Sequence, residues 1–360
     1  MLRILLMTAL YKMFYRLGWP KLLPFSYTFS VTFKCNSRCR TCGIWEREGK
    51  DLSVDEFKKI FDSLKRSPFW VTISGGEPFL RADLVDIVKA LYDTCRPAVI
   101  NIPTNGLLSD IIPGRVEELA KYCKKSAIIV NVSLDEVGEK HDEIRGVKGN
   151  FEKAMVTYAA LRKMEYPNLT LGIHTVISKY NVERVKEIFE EFAKLNPDSY
   201  ITEIAERREE LLTMEKDITP EAGVYKNAVE FLIRETGKKN YKGAGRLTKL
   251  IREEYYGLVD RVLTGKKEVI PCYAGVSTAH MAADGNVWYC CMKSETLGNL
   301  RDAEYDLKKL WFTKKAFEMR AAIKKEHCYC PMANMAYTNM LMSPRYLFKL
   351  GIKYILGIFK

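Results

Sequence analysis

Three cysteines stand within one short stretch, Lys34-Cys35-Asn36-Ser37-Arg38-Cys39-Arg40-Thr41-Cys42, directly after an apolar run that reads as a strand. Three thiolates in one loop can grip three irons of a four-iron cluster and leave the last iron without a local protein ligand. That free corner can hold a substrate or a cofactor. The competing reading is zinc, which CxxC pairs also serve and which needs a further cysteine or histidine nearby. None is close in sequence, and spacing alone leaves the two metals level.

A loop of this kind needs a scaffold that presents strand ends. Apolar, β-rich runs at 26–34, 69–74, 98–103, 127–134, 169–177 and 199–204 read as strands. Helical patterns at 53–65, 82–95, 115–124, 151–164 and 183–195 alternate with them, the first with Ser53 as its N-cap. Repeated βα units imply a parallel sheet. The first four strand ends carry Cys35 onward, Gly75-Gly76-Glu77, Thr104-Asn105-Gly106 and Asp135. Carboxyl ends of strands hold the chemistry in such folds, and six units predict a partial (β/α)6 TIM-like barrel of α/β class.

The cysteine loop, Ser74-Gly75-Gly76-Glu77-Pro78 and the strand-ending Ser133-Leu134-Asp135 together resemble the radical SAM superfamily across residues 26–204. The resemblance implies a [4Fe-4S] cluster on Cys35, Cys39 and Cys42 with S-adenosylmethionine chelating the open iron. It also implies a one-electron reductant such as ferredoxin or flavodoxin, reductive cleavage to a 5′-deoxyadenosyl radical, and removal of a substrate hydrogen. Under it, Gly75 and Gly76 clear space for the methionine end, and Glu77 and Pro78 fix that turn. Asn105, Ser133 and Asp135 stand at neighbouring strand ends, the first two suited to ribose and carboxylate oxygens, and Arg145 offers a planar fork to the carboxylate. One departure is visible: many members carry an aromatic residue before the third cysteine, where this chain has Thr41. Adenine packing then falls to Ile44 or Trp45.

Cys272, Gly285 and Cys290 follow a C-x12-G-x4-C spacing that resembles the start of a SPASM or Twitch auxiliary domain, and Cys328 and Cys330 come after a helix. The resemblance implies a second [4Fe-4S] cluster held by those four thiols, against the alternative of a structural zinc. Cys291, beside Cys290, leaves that ligand ambiguous. Cys95 and Cys123 read as core residues. His174 reads as a packed barrel residue and His327 as a weak alternative ligand, while Glu203, Glu206 and Arg207 lie near the mouth. The chain thus divides into a basic N-terminal segment (1–25), the core barrel (26–204), a helical connector (205–268) with a flexible patch at 238–245, a small cysteine-rich auxiliary-cluster domain (269–335) and a basic C-terminal helix (336–360).

Length and composition agree with a large α/β domain and exclude a disordered chain: 360 residues, 47% hydrophobic and 28% charged. No run matches a membrane span, the start lacks a cleavage signal, and ten clustered cysteines in so large a chain argue for metal chemistry over disulfides. The net charge is +12, and eight of the excess cations sit at the ends: Arg3, Lys12, Arg16 and Lys21, then Arg345, Lys349, Lys353 and Lys360. Nucleic acid would favour a basic stripe across the body. Apolar basic ends instead suggest an anionic membrane surface, so the expected enzyme is cytoplasmic, peripheral on the inner face of the membrane, and acts on a lipid or lipid-linked substrate. A C-terminal helix simply docked on the protein is the bland alternative. Two rival functions remain: peptide or protein maturation, for which the N-terminus looks too short to hold a leader-recognition domain, and a zinc-stabilised nucleic-acid-binding protein.

Overall fold

The computed structural model describes the backbone of residues 2–238 and 244–356, with side chains for 7–238 and 249–353. Most of the patch expected at 238–245, and Lys360, lie outside the described residues. Strands β1 (Ser26–Thr32), β2 (Trp70–Gly75), β3 (Val99–Thr104), β4 (Ala127–Ser133), β5 (Leu169–Ile177) and β6 (Ser199–Ile204) pair in parallel in sequential order, as the βα alternation predicts. Side chains alternate along β1: Tyr27, Phe29 and Val31 face the helical layer, and Thr28, Ser30 and Thr32 the other side.

Before the sheet comes α1 (Leu2–Leu17); α2 (Val54–Leu64), α3 (Leu84–Cys95), α4 (Ile112–Tyr122), α5 (Glu139–Arg145), α6 (Asn150–Arg162) and α7 (Val185–Ala193) connect its strands. Ser53 caps α2 through a reciprocal capping box with Glu56. On that helix Phe57, Ile60 and Phe61 are buried, and Phe61 meets Phe29 edge-on with ring centroids 5.5 Å apart. Cys95 and Cys123 are core residues, as expected.

The connector consists of α8 (Ala222–Gly237) and α9 (Ala244–Gly265). Beyond it, β7 (Thr278–Met281) runs parallel to β1, pairing Ser26 with Thr278 through Phe29 with Met281. β8 (Asn286–Trp288) and β9 (Thr296–Asn299) extend the same sheet in antiparallel fashion, with Gly285 at φ +91° in the intervening turn. The strands of 269–335 therefore continue the barrel sheet, and the outer edge of β1, with its unpaired peptide groups, is covered by β7.

Four helices finish the chain: α10 (Leu307–Trp311), α11 (Lys314–Glu326), α12 (Ala333–Met342) and α13 (Pro344–Leu356). Tyr346 and Leu350 of α13 are buried, and Lys349 and Lys353 each place Nζ 2.7 Å from the Glu254 carboxylate on α9. At the other end of the chain, Tyr11 and Phe14 of α1 are buried with Phe25, Tyr273, Val276 and Met342. Lys349 and Lys353 thus pair with an acid of their own chain, the arrangement that the docked-helix alternative expects, while Arg345 is exposed. Among the described residues no helix is long and apolar enough to cross a membrane.

Candidate metal and cofactor site

The cysteine loop leaves the carboxyl end of β1 and is laced to its neighbours by backbone bonds. Arg38 and Arg40 donate their N–H groups to the carbonyls of Arg145 and Ile144, both 2.9 Å, and Gly43 donates to Leu211 O at 2.7 Å. A Cβ at Gly146 would lie 2.2 Å from Arg38 O, so glycine permits this approach. All three thiols are free. Donors point at their sulfurs: Ser37 N to Cys35 Sγ and Ile44 N to Cys42 Sγ, each 3.4 Å, Asn105 Nδ2 to Cys35 Sγ at 3.9 Å, and Arg145 Nη1 to Cys39 Sγ at 4.0 Å. Burial pushes Cys35 up to about 11 and Cys42 to about 12; it also raises Cys39, against the pull of Arg145. Without a metal these groups are protonated thiols, and metal binding must release their protons.

The glycine pair permits a close approach of backbone to backbone. Cβ atoms at Gly75 and Gly76 would fall 2.2 Å from Thr32 O and 2.1 Å from Lys34 O, so both glycines let the end of β2 approach the end of β1. Glu77 is fully buried and accepts from Phe79 N (3.1 Å), Thr104 Oγ1 (2.9 Å) and Asn105 N (2.7 Å), tying the β2 and β3 ends together. Burial, only partly offset by those bonds, raises its carboxyl to about 7. Pro78 begins the short turn Pro78–Leu80. Asn105 spends its amide on the cysteine loop, donating to Asn36 Oδ1 (2.7 Å) and Ser37 Oγ (3.1 Å).

Ser133 ends β4 beside these groups, 9% exposed. Asp135 accepts from Val176 N at 2.8 Å and faces Arg145, Oδ2 to Nε 2.7 Å. Arg145 therefore divides its fork between Asp135 and the Cys39 sulfur. Thr41 is buried, Ile44 packs with Phe33 and Trp288, and Trp45 lies under the Arg38 guanidinium at 4.5 Å.

In the second group, Cys272, Cys328 and Cys330 line one cavity with Val262, Ile270 and Asn339. Burial, with the nearby Cys290 and Cys328 adding to it, pushes Cys272 up to about 12, and burial beside Cys272 and Cys290 raises Cys330. Cys290 and Cys291 point apart: the buried Cys291 Sγ lies 2.8 Å from His280 Nδ1. His327 is exposed and paired with Glu268 at 2.6 Å, and His174 Nε2 lies 3.8 Å from Glu203 Oε2.

Glu206 is buried near the mouth, whereas Arg207 is exposed and the cation turned toward the acids is the half-buried Arg208, 3.8 Å from both Glu206 and Glu210. The sequence reading missed Glu210 and His280 and weighed Cys291 only as an alternative to Cys290; the ligand atoms of these three all lie within 4.8 Å of one another. The available signal was polar alternation: His280 lies between Ala279 and Met281 on a short strand, just ahead of Cys291.

Residues 29–192 match the Radical SAM superfamily. Over 168 residues the chain is 32% identical to Fe-coproporphyrin III synthase of Methanosarcina barkeri, covering 45% of this chain and 39% of that protein. It is 31% identical to mycofactocin maturase MftC of Mycolicibacterium smegmatis over 168 residues, covering 46% and 40%. The chain thus spans about two fifths of the length of these curated relatives. Among solved structures it is similar to Streptococcus suis SuiB bound to its precursor peptide SuiA, with a TM-score of 0.62, 16% identity, and 83% of this chain and 67% of that one covered. The six parallel strands in sequential order agree with these matches, and the stretch similar to the Radical SAM superfamily, residues 29–192, carries the first cysteine loop and the glycine turn.

Proposed function

We propose that this radical SAM enzyme modifies a peptide or protein, with Cys35, Cys39 and Cys42 holding a [4Fe-4S] cluster. The observation that carries the metal assignment is the donor set: three free thiols on one loop, each with an N–H group within 4.0 Å of its sulfur, a pattern that fits a cluster lacking a fourth protein ligand. Bound there, the cluster and S-adenosylmethionine would supply an electron to the sulfonium and so a species able to remove a substrate hydrogen. The chain's residues hold and shield that chemistry. Gly75, Gly76, Glu77 and Pro78 shape the turn beside it, Asn105 and Ser133 offer polar groups, and Asp135 keeps Arg145 aimed at the cysteine loop. Cys272, Cys290, Cys328 and Cys330 form the donor set for a second cluster, with Cys291 excluded because it faces His280.

The peptide reading replaces the lipid one for two reasons. The relatives include a maturase and a protein crystallised with a precursor peptide. Two lysines of the C-terminal helix pair with Glu254 of the same chain, so part of that basic end already has an internal partner.

The test begins with anaerobic reconstitution with iron, sulfide, dithionite and S-adenosylmethionine, reading iron and 5′-deoxyadenosine together. Alanine at Cys35, Cys39 or Cys42 should abolish cleavage. Peptide and lipid fractions of a cell extract are then added separately. Stimulation by the peptide fraction, with a mass change in a recovered peptide, is expected; stimulation by the lipid fraction alone would reject the peptide assignment.

A further inference from the structure

We propose that Glu210, His280 and Cys291 form a metal site separate from both cysteine groups and take a single divalent ion of the zinc type. The proposal does not depend on the substrate class. The three side chains are buried, at 7%, 4% and 6% exposure, and come from three elements: the loop after β6, strand β7 and the turn after β8. His280 Nδ1 lies 2.8 Å from Cys291 Sγ and 3.6 Å from Glu210 Oε1. Tetrahedral zinc with ordinary ligand lengths separates nitrogen from sulfur by about 3.5 Å and nitrogen from oxygen by about 3.3 Å. The histidine–cysteine contact must widen and the histidine–glutamate contact close slightly.

The other nitrogen of the ring supports the assignment. His280 Nε2 lies 2.8 Å from the buried Ser30 Oγ on β1. Donation from Nε2 to Ser30 Oγ would leave the Nδ1 lone pair facing Cys291 and Glu210, which is how metal-binding histidines are commonly oriented.

The charge balance points the same way. Arg208 faces two buried carboxylates, Glu206 and Glu210, at 3.8 Å each. Both Glu206 oxygens lack a hydrogen-bond partner among the described residues. A divalent cation here would offset the buried Glu210 carboxylate and the thiolate that Cys291 becomes on binding it. As the metal–sulfur bond forms, the thiol proton leaves to solvent. A cavity lined by Thr28, Thr278, His280, Cys291 and Met335 adjoins the site as an entry path.

The test uses the full chain, purified anaerobically with both cysteine groups reconstituted with iron and sulfide, and measures zinc and iron by elemental analysis. The expected result is a single zinc per chain beside the iron. His280→Gln and Glu210→Gln should lower zinc more than about tenfold with iron unchanged, and Ser30→Ala should weaken retention against a chelator by about 10–100-fold. Cobalt(II) in place of zinc should give a sulfur-to-metal charge-transfer band that Cys291→Ser removes. A wild-type chain that takes up neither zinc nor cobalt overturns the proposal. So does zinc that survives both His280→Gln and Ser30→Ala, or that disappears with Cys272→Ala while His280 is intact.

Discussion

Removing the carboxylate of Asp135 should unlatch the arginine that carries the cysteine loop. The Asp135 side chain is 2% exposed and that of Arg145 10%, and their contact is 2.7 Å. Breaking a buried pair by deleting one partner costs about 3–5 kcal/mol, because the remaining charge stays buried without compensation. Asp135→Ala also strips Val176 N of its acceptor, which places the loss at the upper end, about 5 kcal/mol. The double variant Asp135→Leu/Arg145→Met removes both charges and should recover most of that stability, since apolar replacement of a whole buried pair is often neutral. It should not recover function, because the guanidinium 4.0 Å from Cys39 Sγ is gone. Anaerobic urea unfolding of the metal-free chain reads the first quantity from the midpoint at constant slope, and iron retained after reconstitution reads the second. If the double variant is as unstable as the single one, uncompensated charge is not the cause. If it retains full iron, Arg145 does not support the loop.

Three further outcomes follow from other contacts. Gly76→Ala should prevent proper closure of β2 against β1, because its Cβ would meet Lys34 O at 2.1 Å; loss of soluble chain or of more than about 3 kcal/mol in urea unfolding is expected. Cys290→Ser should reduce the iron bound after reconstitution while Cys291→Ser leaves it unchanged, and equal loss from both would refute the opposed directions of the two side chains. Burial raises the Glu206 carboxyl to about 7, against an unfolded value near 4.5, so its contribution is intact below the unfolded value and lost as pH rises through about 7. Glu206→Gln should therefore be more stable than wild type by about 3 kcal/mol at pH 8 in the metal-free chain, with the difference vanishing near pH 4.5.

Much of this arrangement was legible because local chemistry and tertiary role coincide. Strand bounds at 169–177 and 199–204 agree with β5 and β6, and the Ser53 cap is where its spacing to Glu56 puts it. α5 escaped because it is seven residues long, highly charged, and begins after Gly138 without an apolar stripe, yet it carries Arg145 and the carbonyls that hold the cysteine loop. The pairing of β7 with β1 joins residues about 250 positions apart, which no local pattern encodes. The basic C-terminal helix was expected, and Arg345, Lys349 and Lys353 lie on α13, but sequence alone cannot say whether its cations meet lipid or Glu254. Gly75 and Gly76 were flagged for the right property, smallness, while the crowding partner proved to be the neighbouring backbone.

The seam between β7 and β1 also limits how this protein can move. Thr278 to Met281 are stitched to Ser26 to Phe29 on the strand whose end feeds the first cysteine loop, and Cys290 follows two residues after β8 on the same sheet. A clamshell motion that parted the two thiol groups would have to rip that ladder open. Both thiol groups are thereby tied to one continuous run of strands, from β8 through β7 to β1.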